Sequence, residues 1–183
     1  MIFQNKKFSI LFMFMVMFLF NSSKLAAVIL HSEKIRNYEV TVQINKNGTL
    51  TVNEVIDYQF GEEPKHGIYR DIPLRSKRFG FDVHKSFIKM NWIKRDGEDE
   101  EYTKNHFYEG IRYRIGSETE LVNLYRTESR YELNYDIYNA VFEKDGIYQV
   151  YYNAIGQFWN VPIEQASVII RFPDGQKIKK NEI

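Results

Sequence analysis

Two runs of alternating apolar residues, joined by Lys46-Asn47-Gly48, constrain this chain more than any other stretch. Over residues 35–45, Tyr38, Val40, Val42 and Ile44 recur at every second position. Over residues 50–60, Leu50, Val52, Ile56, Tyr58 and Phe60 alternate with Thr51, Asn53 and Asp57. A strand turns successive side chains to opposite faces, so this period gathers one apolar row on one side. Asn-Gly accepts the positive φ of a tight turn, and the whole reads as a β-hairpin. Asn47-Gly48-Thr49 also has the spacing of an N-glycan acceptor; the turn is the reading adopted. Glu54 breaks the pattern by falling in phase with the apolar row. The expectation adopted is a bulge that turns it outward. The alternative is burial against Arg70 or Arg75, because a buried, unpaired carboxylate costs several kcal/mol.

The rest of the chain continues in the same manner. Residues 81–94 alternate imperfectly and lead to Asp96-Gly97, with Glu98-Asp99-Glu100-Glu101 expected as a solvated hairpin tip. Residues 105–115, 125–139, 147–155 and 166–172 supply further strands, and residues 139–146 have room for a short helical turn. Pro173-Asp174-Gly175 is a turn signal. No long segment of helical period occurs from residue 33 onward. About seven to nine strands without crossover helices predict an all-β fold, an antiparallel β-sandwich of immunoglobulin-like or related type. The thirteen Tyr and fourteen Phe suit such half-buried pleated surfaces.

The N-terminus is of another kind. Lys6 and Lys7 precede Phe8–Phe20, thirteen residues that are apolar but for Ser9, then polar Asn21–Lys24 and small Ala26-Ala27. That order is the layout of a secretory signal. As a helix the block spans roughly 20 Å, short of a ~30 Å hydrocarbon core. Residues 1–27 are therefore read as a signal peptide, or as an uncleaved anchor helix that ties the protein to the membrane. The β-domain is placed at 33–175 and a polar tail at 176–183. Localisation follows as extracytoplasmic: secreted, periplasmic or tethered at the cell surface. Residues 1–27 hold three lysines and no acid, so the remainder carries 22 basic against 24 acidic residues. Such a balance offers no footing for nucleic acid. With no cysteine, the chain has no thiol nucleophile, thiolate metal site or disulfide, and its core alone must hold it.

Residues 66–75, HGIYRDIPLR, concentrate the polar chemistry. Gly67 frees the backbone, and Pro73 is excluded from a central ladder position. Ile68, Ile72 and Leu74 can pin the segment to a core. The structural reading is an irregular corner over 61–80, tied to the sheet by Arg70 and Asp71. The functional reading is a ligand-facing loop carrying His66, Tyr69, Arg70 and Asp71.

Here the chain resembles a known family. KHGIYRDIPL at 65–74 is similar to a signature of the predicted bacterial membrane proteins called domain of unknown function 2207. IRNYEVTVQINKNGTLTVNEVIDYQF (35–60), GIRYRIGSET (110–119), YELNYDIYNAV (131–141) and FWNVPIEQASVIIRFP (158–173) resemble its other segments, in the same order. The resemblance implies an extracytoplasmic β-rich domain behind a signal peptide, one that in the family usually precedes transmembrane helices. It implies no activity and supplies no catalytic residues.

Other chemistry finds little footing. No two of His31, His66, His84 and His106 have a local ligand spacing, so no metal is expected, and no cofactor fingerprint occurs. Tyr69, Trp92, Tyr151, Tyr152, Phe158 and Trp159 could form a stacking platform for sugar rings or peptides, or else fill the core. Trp159 is expected to wedge into the sandwich edge, with Pro162 marking a non-ladder position. The function read is a binding or structural module of the cell envelope, with an envelope protein or glycan as partner. The alternative is an envelope hydrolase acting on a glycan or peptide through acids such as Glu54, Asp71 and Glu164, which requires a pocket with converging acids.

Overall fold

The alternation of the first hairpin carries through into a large sheet. The structure is a computed structural model that describes residues 32–78, 82–124, 127–144 and 147–173. The signal or anchor segment and the polar tail lie outside these residues. The strands are β1 (Lys34–Ile44), β2 (Leu50–Gln59), β3 (Ile68–Pro73), β4 (Arg75–Arg78), β5 (Asp82–Lys85), β6 (Phe87–Arg95), β7 (Glu98–Asp99), β8 (Tyr102–His106), β9 (Gly110–Ile115), β10 (Glu128–Tyr138), β11 (Val141–Lys144), β12 (Ile147–Val150) and β13 (Ala166–Arg171). No helix occurs among the described residues, and the fold is all-β.

Six strands form the main sheet, in the order β13-β1-β2-β10-β6-β7; three form a second, β3-β9-β8; β4-β5 and β11-β12 are separate ribbons. β1 and β2 pair antiparallel from Ile44 opposite Leu50 back to Lys34 opposite Gln59. Gly48 takes φ 79° at their turn, and the Asn47 side chain accepts hydrogen bonds from the backbone N–H and the hydroxyl of Thr49. Asn47 thus works as a turn residue.

The bulge expected at Glu54 lies elsewhere. The register slips between Ile35 and Asn37 on β1, while β2 keeps phase throughout. Leu50, Val52, Glu54, Ile56 and Tyr58 all face inward and are buried. The slip on β1 explains how Ile35 and Tyr38, three positions apart, both reach the core. Inward residues of both sheets share that core: Tyr38, Val40, Val52, Ile56, Leu133 and Tyr135 from the first, Ile68, Ile72, Ile111, Tyr113 and Ile115 from the second.

Other expectations need correction. Residues 68–73 are a strand and not a corner, paired with β9 along its whole length. Pro73 ends it on the rim of its sheet, where its missing N–H costs no ladder bond. Residues 139–146 hold no helical turn among the described positions; Asn139 takes φ 59° and the chain enters β11. Asp96-Gly97 makes the expected turn, with Glu98 and Asp99 exposed beyond it in the short β7; only Glu100 departs, held by Arg95. The sheet is not wholly antiparallel: β13 runs parallel to β1. Among the described residues the strands number thirteen, more than expected, because ribbons such as β4-β5 are too short to show a period.

Candidate functional site

β3 explains the density of charge in HGIYRDIPLR. Its alternation sends Ile68, Arg70 and Ile72 into the core and leaves Tyr69 and Asp71 in the opposite phase. Consecutive residues therefore build two ion pairs on two sides of one strand.

The inner pair is closed to water. Arg70 and Glu54 are each only 1% exposed. Arg70 Nε donates to Glu54 Oε2 at 2.8 Å and Nη2 to Oε1 at 2.6 Å, the parallel two-bond geometry that guanidinium offers a carboxylate. Arg70 Nη1 donates to the Asp71 carbonyl. The Tyr135 hydroxyl donates to Glu54 Oε1 and shares a 2.6 Å hydrogen bond with the Tyr152 hydroxyl. Arg70 Cζ lies 5.9 Å from the Tyr38 ring centre and 5.7 Å from that of Trp159, and the two rings meet edge to face at 5.8 Å. Trp159 does wedge at the core, anchored by its indole N–H donating to the Ile155 carbonyl at 3.2 Å.

The irregular segment carrying Tyr152 and Trp159 closes this cluster. Gly156 sits at φ 81°, and a Cβ there would lie 2.7 Å from Arg70 Nη1. Only glycine fits both the backbone and the space. Pro162 lends its carbonyl to the Ile35 N–H at 2.9 Å, which ties the same segment to β1.

The electrostatics follow from this burial. Burial by itself lowers the pKa of the Arg70 guanidinium, but the adjacent Glu54 charge outweighs it and the pKa ends well above its ordinary value. Burial first, and then the Glu54 charge, raises the Tyr135 and Tyr152 hydroxyls well above the usual phenol range. Tyr38 is raised mainly by burial, against an opposing effect of Arg70. Each hydroxyl stays neutral and Arg70 stays charged, which fits an ion pair set for permanence and not for proton transfer.

The outer pair is half in water. Arg112 of β9 grips Asp71 with two hydrogen bonds of 2.7 Å, its own side chain 51% exposed and that of Asp71 4%. The hydrogen bond from Asp71, then its charge, raises the pKa of Arg112. Arg112 also lies over the Tyr69 ring at 5.5 Å, and Tyr69 is 58% exposed. Nearby in sequence, Arg75 covers the exposed Tyr108 ring at 4.8 Å instead of meeting Glu54.

His66 joins neither pair; its Nδ1 lies 2.9 Å from the Glu120 carbonyl. His84 meets the Asn139 carbonyl, far along the chain. Among the described residues no group of three His, Asp or Glu could hold a metal ion. An open pocket of about 340 Å³ lies among Glu101, Thr103, Arg114 and Glu118, and none of His66, Arg70 or Asp71 lines it. Arg112, Tyr135 and Gly156 are the contributors that sequence reasoning passed over. Arg112 and Tyr135 are in phase on their strands but have no local mark of a partner; Gly156 is legible only once Arg70 is in place.

Residues 34–182 match the family described as "Predicted membrane protein (DUF2207) N-terminal domain". The chain belongs to the DUF2207 family. The match covers β1 through β13, so both ion pairs and the segment over Arg70 lie within the DUF2207 domain. No curated protein sequence matches the chain. Among solved structures, native leukotriene A4 hydrolase from Saccharomyces cerevisiae is similar at 6% identity and TM-score 0.41 over 57% of this chain. An M1 zinc metallopeptidase from Deinococcus radiodurans is similar at 10% identity and TM-score 0.39 over 58% of it. This chain spans only 15% and 20% of those two proteins, and so partial a likeness assigns no activity to the DUF2207 domain.

Proposed function

We propose that this DUF2207 domain is an extracytoplasmic, non-catalytic β-sandwich module of a cell-envelope membrane protein, and that it binds an envelope glycan on the outer side of β3 and β9. The sandwich reading is supported by the single core that both sheets share and by Arg70 of β3 reaching Glu54 of β2. Export is supported by the charge and apolar layout of residues 1–27.

One observation carries the binding reading: the exposed Tyr69 ring is capped by Arg112, which Asp71 fixes in turn. An exposed aromatic ring backed by a fixed cation is a ready platform for a sugar ring. The hydrolase alternative has less support. Glu54 and Asp71 are both engaged by arginines, so neither offers a free carboxylate. Co-sedimentation with purified cell-wall glycan tests the proposal. Tyr69→Ala should lower the bound fraction at least tenfold with an unchanged melting temperature. Equal binding by wild type and variant, or none by either, defeats it.

A further inference from the structure

β13 leaves a different kind of surface. It forms one rim of the main sheet, hydrogen-bonded among the described residues to β1 alone. All six of its residues are exposed. Its register sets Val168 beside Val40 and Ile170 beside Val42, and those β1 residues are buried at 1% and 3%. Val168 and Ile170 thus extend the core row sideways, yet remain 41% and 55% exposed, with Phe172 just beyond at 42%. Ile169, on the other face, is 53% exposed. A rim strand that is apolar along its core-side face, carries Ile169 on the other, has no proline or bulge and bears a single charge lacks the usual protections against edge pairing.

We infer that β13 pairs antiparallel with β13 of a second copy of this chain, joining two main sheets across a two-fold axis at Ile169. The strand's own sequence argues for that occupant. Centred on Ile169, the register sets Val168 opposite Ile170, Ala166 opposite Phe172 and Ser167 opposite Arg171 of the partner copy. A two-fold axis normal to the sheet keeps the two core rows on one face, so Val168, Ile170 and Phe172 of both copies merge into one apolar strip. The lone charge, Arg171, meets a serine and not its like, so no cross-strand repulsion arises. The chain's own residues 176–183 suit the strip poorly, with three lysines among eight residues. The inference does not depend on glycan binding, which concerns the other sheet.

The chain has no cysteine, so single introduced thiols report pairing cleanly. Opposed Cα atoms of antiparallel strands lie about 4.5–5.5 Å apart, within disulfide range. Purified full-length Ile169→Cys, oxidised with copper phenanthroline, should yield covalent dimer at least tenfold faster than Tyr69→Cys. Ser167→Cys mixed with Arg171→Cys should cross-link at least tenfold better than either alone, since each thiol lies roughly 13 Å from its own copy in this register. Equal cross-linking at 169 and 69, no preference in the mixture, or cross-linking that needs removal of residues 174–183 would each overturn the inference, the last by showing that the tail covers the rim.

Discussion

Arg70 and Asp71 are neighbours in the chain and both sit in two-bond ion pairs, but the two pairs obey different physics. Glu54–Arg70 is sealed in the core, with side chains 0% and 1% exposed, whereas Arg112 holds Asp71 with half of its own side chain in water. A buried pair is costly to assemble and costlier to break, because removing one partner strands the other charge without solvent. In the outer pair only Arg112 reaches solvent; Asp71 is buried beneath it, and taking Arg112 away opens a path for water to the carboxylate, so the loss is smaller than in the sealed pair. The inner pair therefore governs whether β2, β3 and the segment around Gly156 hold together, and the outer pair governs how Tyr69 is presented.

The sharpest way to break that contrast is Arg70→Ala. It should destabilise the domain by about 3–5 kcal/mol, read as a shift in denaturation midpoint, because Glu54 and the Tyr135 hydroxyl are left facing an empty guanidinium site. Glu54→Leu combined with Arg70→Met should recover most of the loss, since an apolar pair of similar volume removes the stranded charge. A double variant no better than Arg70→Ala would mean that the pair contributes more than its mutual compensation.

Alkaline titration comes next. Burial first, and then Tyr102, push the Tyr113 hydroxyl up to about 12. Its folded pKa exceeds the unfolded value of ~10, so stability is unaffected by this group below pH ~10 and falls as pH rises from there toward 12. Tyr38, Tyr135 and Tyr152 around Arg70 act in the same direction. Denaturation midpoints should hold steady up to pH ~10 and fall beyond it, with phenolate absorbance from these residues appearing only as the fold opens.

Gly156→Ala should cost about 1–3 kcal/mol, through an alanine at positive φ and a methyl pressed on Arg70. Placed in the Glu54→Leu, Arg70→Met background it should cost less, because the guanidinium it meets is gone. At the far end, Arg112→Ala should cost about 1–2 kcal/mol, well short of Arg70→Ala, because the half-exposed Arg112 leaves water a way to the Asp71 carboxylate that the sealed pair lacks. Its main effect should fall on the mobility of Tyr69, read from ring fluorescence anisotropy. A large loss of stability there would erase the distinction between the two pairs.

Much of this was open to reading in the primary structure. The β1–β2 hairpin, its Asn-Gly turn and the rows around Val52 and Tyr135 follow from period-two alternation, because a pleated strand sorts side chains by parity alone. The DUF2207 segments are contiguous stretches and needed no fold to be seen. Arg70 is one of the two partners that the sequence offers Glu54, the other being Arg75. What misled was the composition of residues 66–75, where Gly, Pro and four charged or imidazole side chains resemble a loop more than a strand. Pairing with β9 overrode that local preference, since Arg70 and Asp71 each gain a partner from outside their own strand.

Taken alone, then, the order of residues determined the β character, the apolar rows and the membership of a family, because these are properties of neighbours a few positions apart. Only the tertiary structure decided that Glu54 goes inward, that Gly156 and Trp159 close over Arg70, and that β13, among the described residues, pairs with β1 alone. Those outcomes depend on groups brought together from distant positions, where the desolvation of a charge is compensated only by a partner the chain must fold to reach.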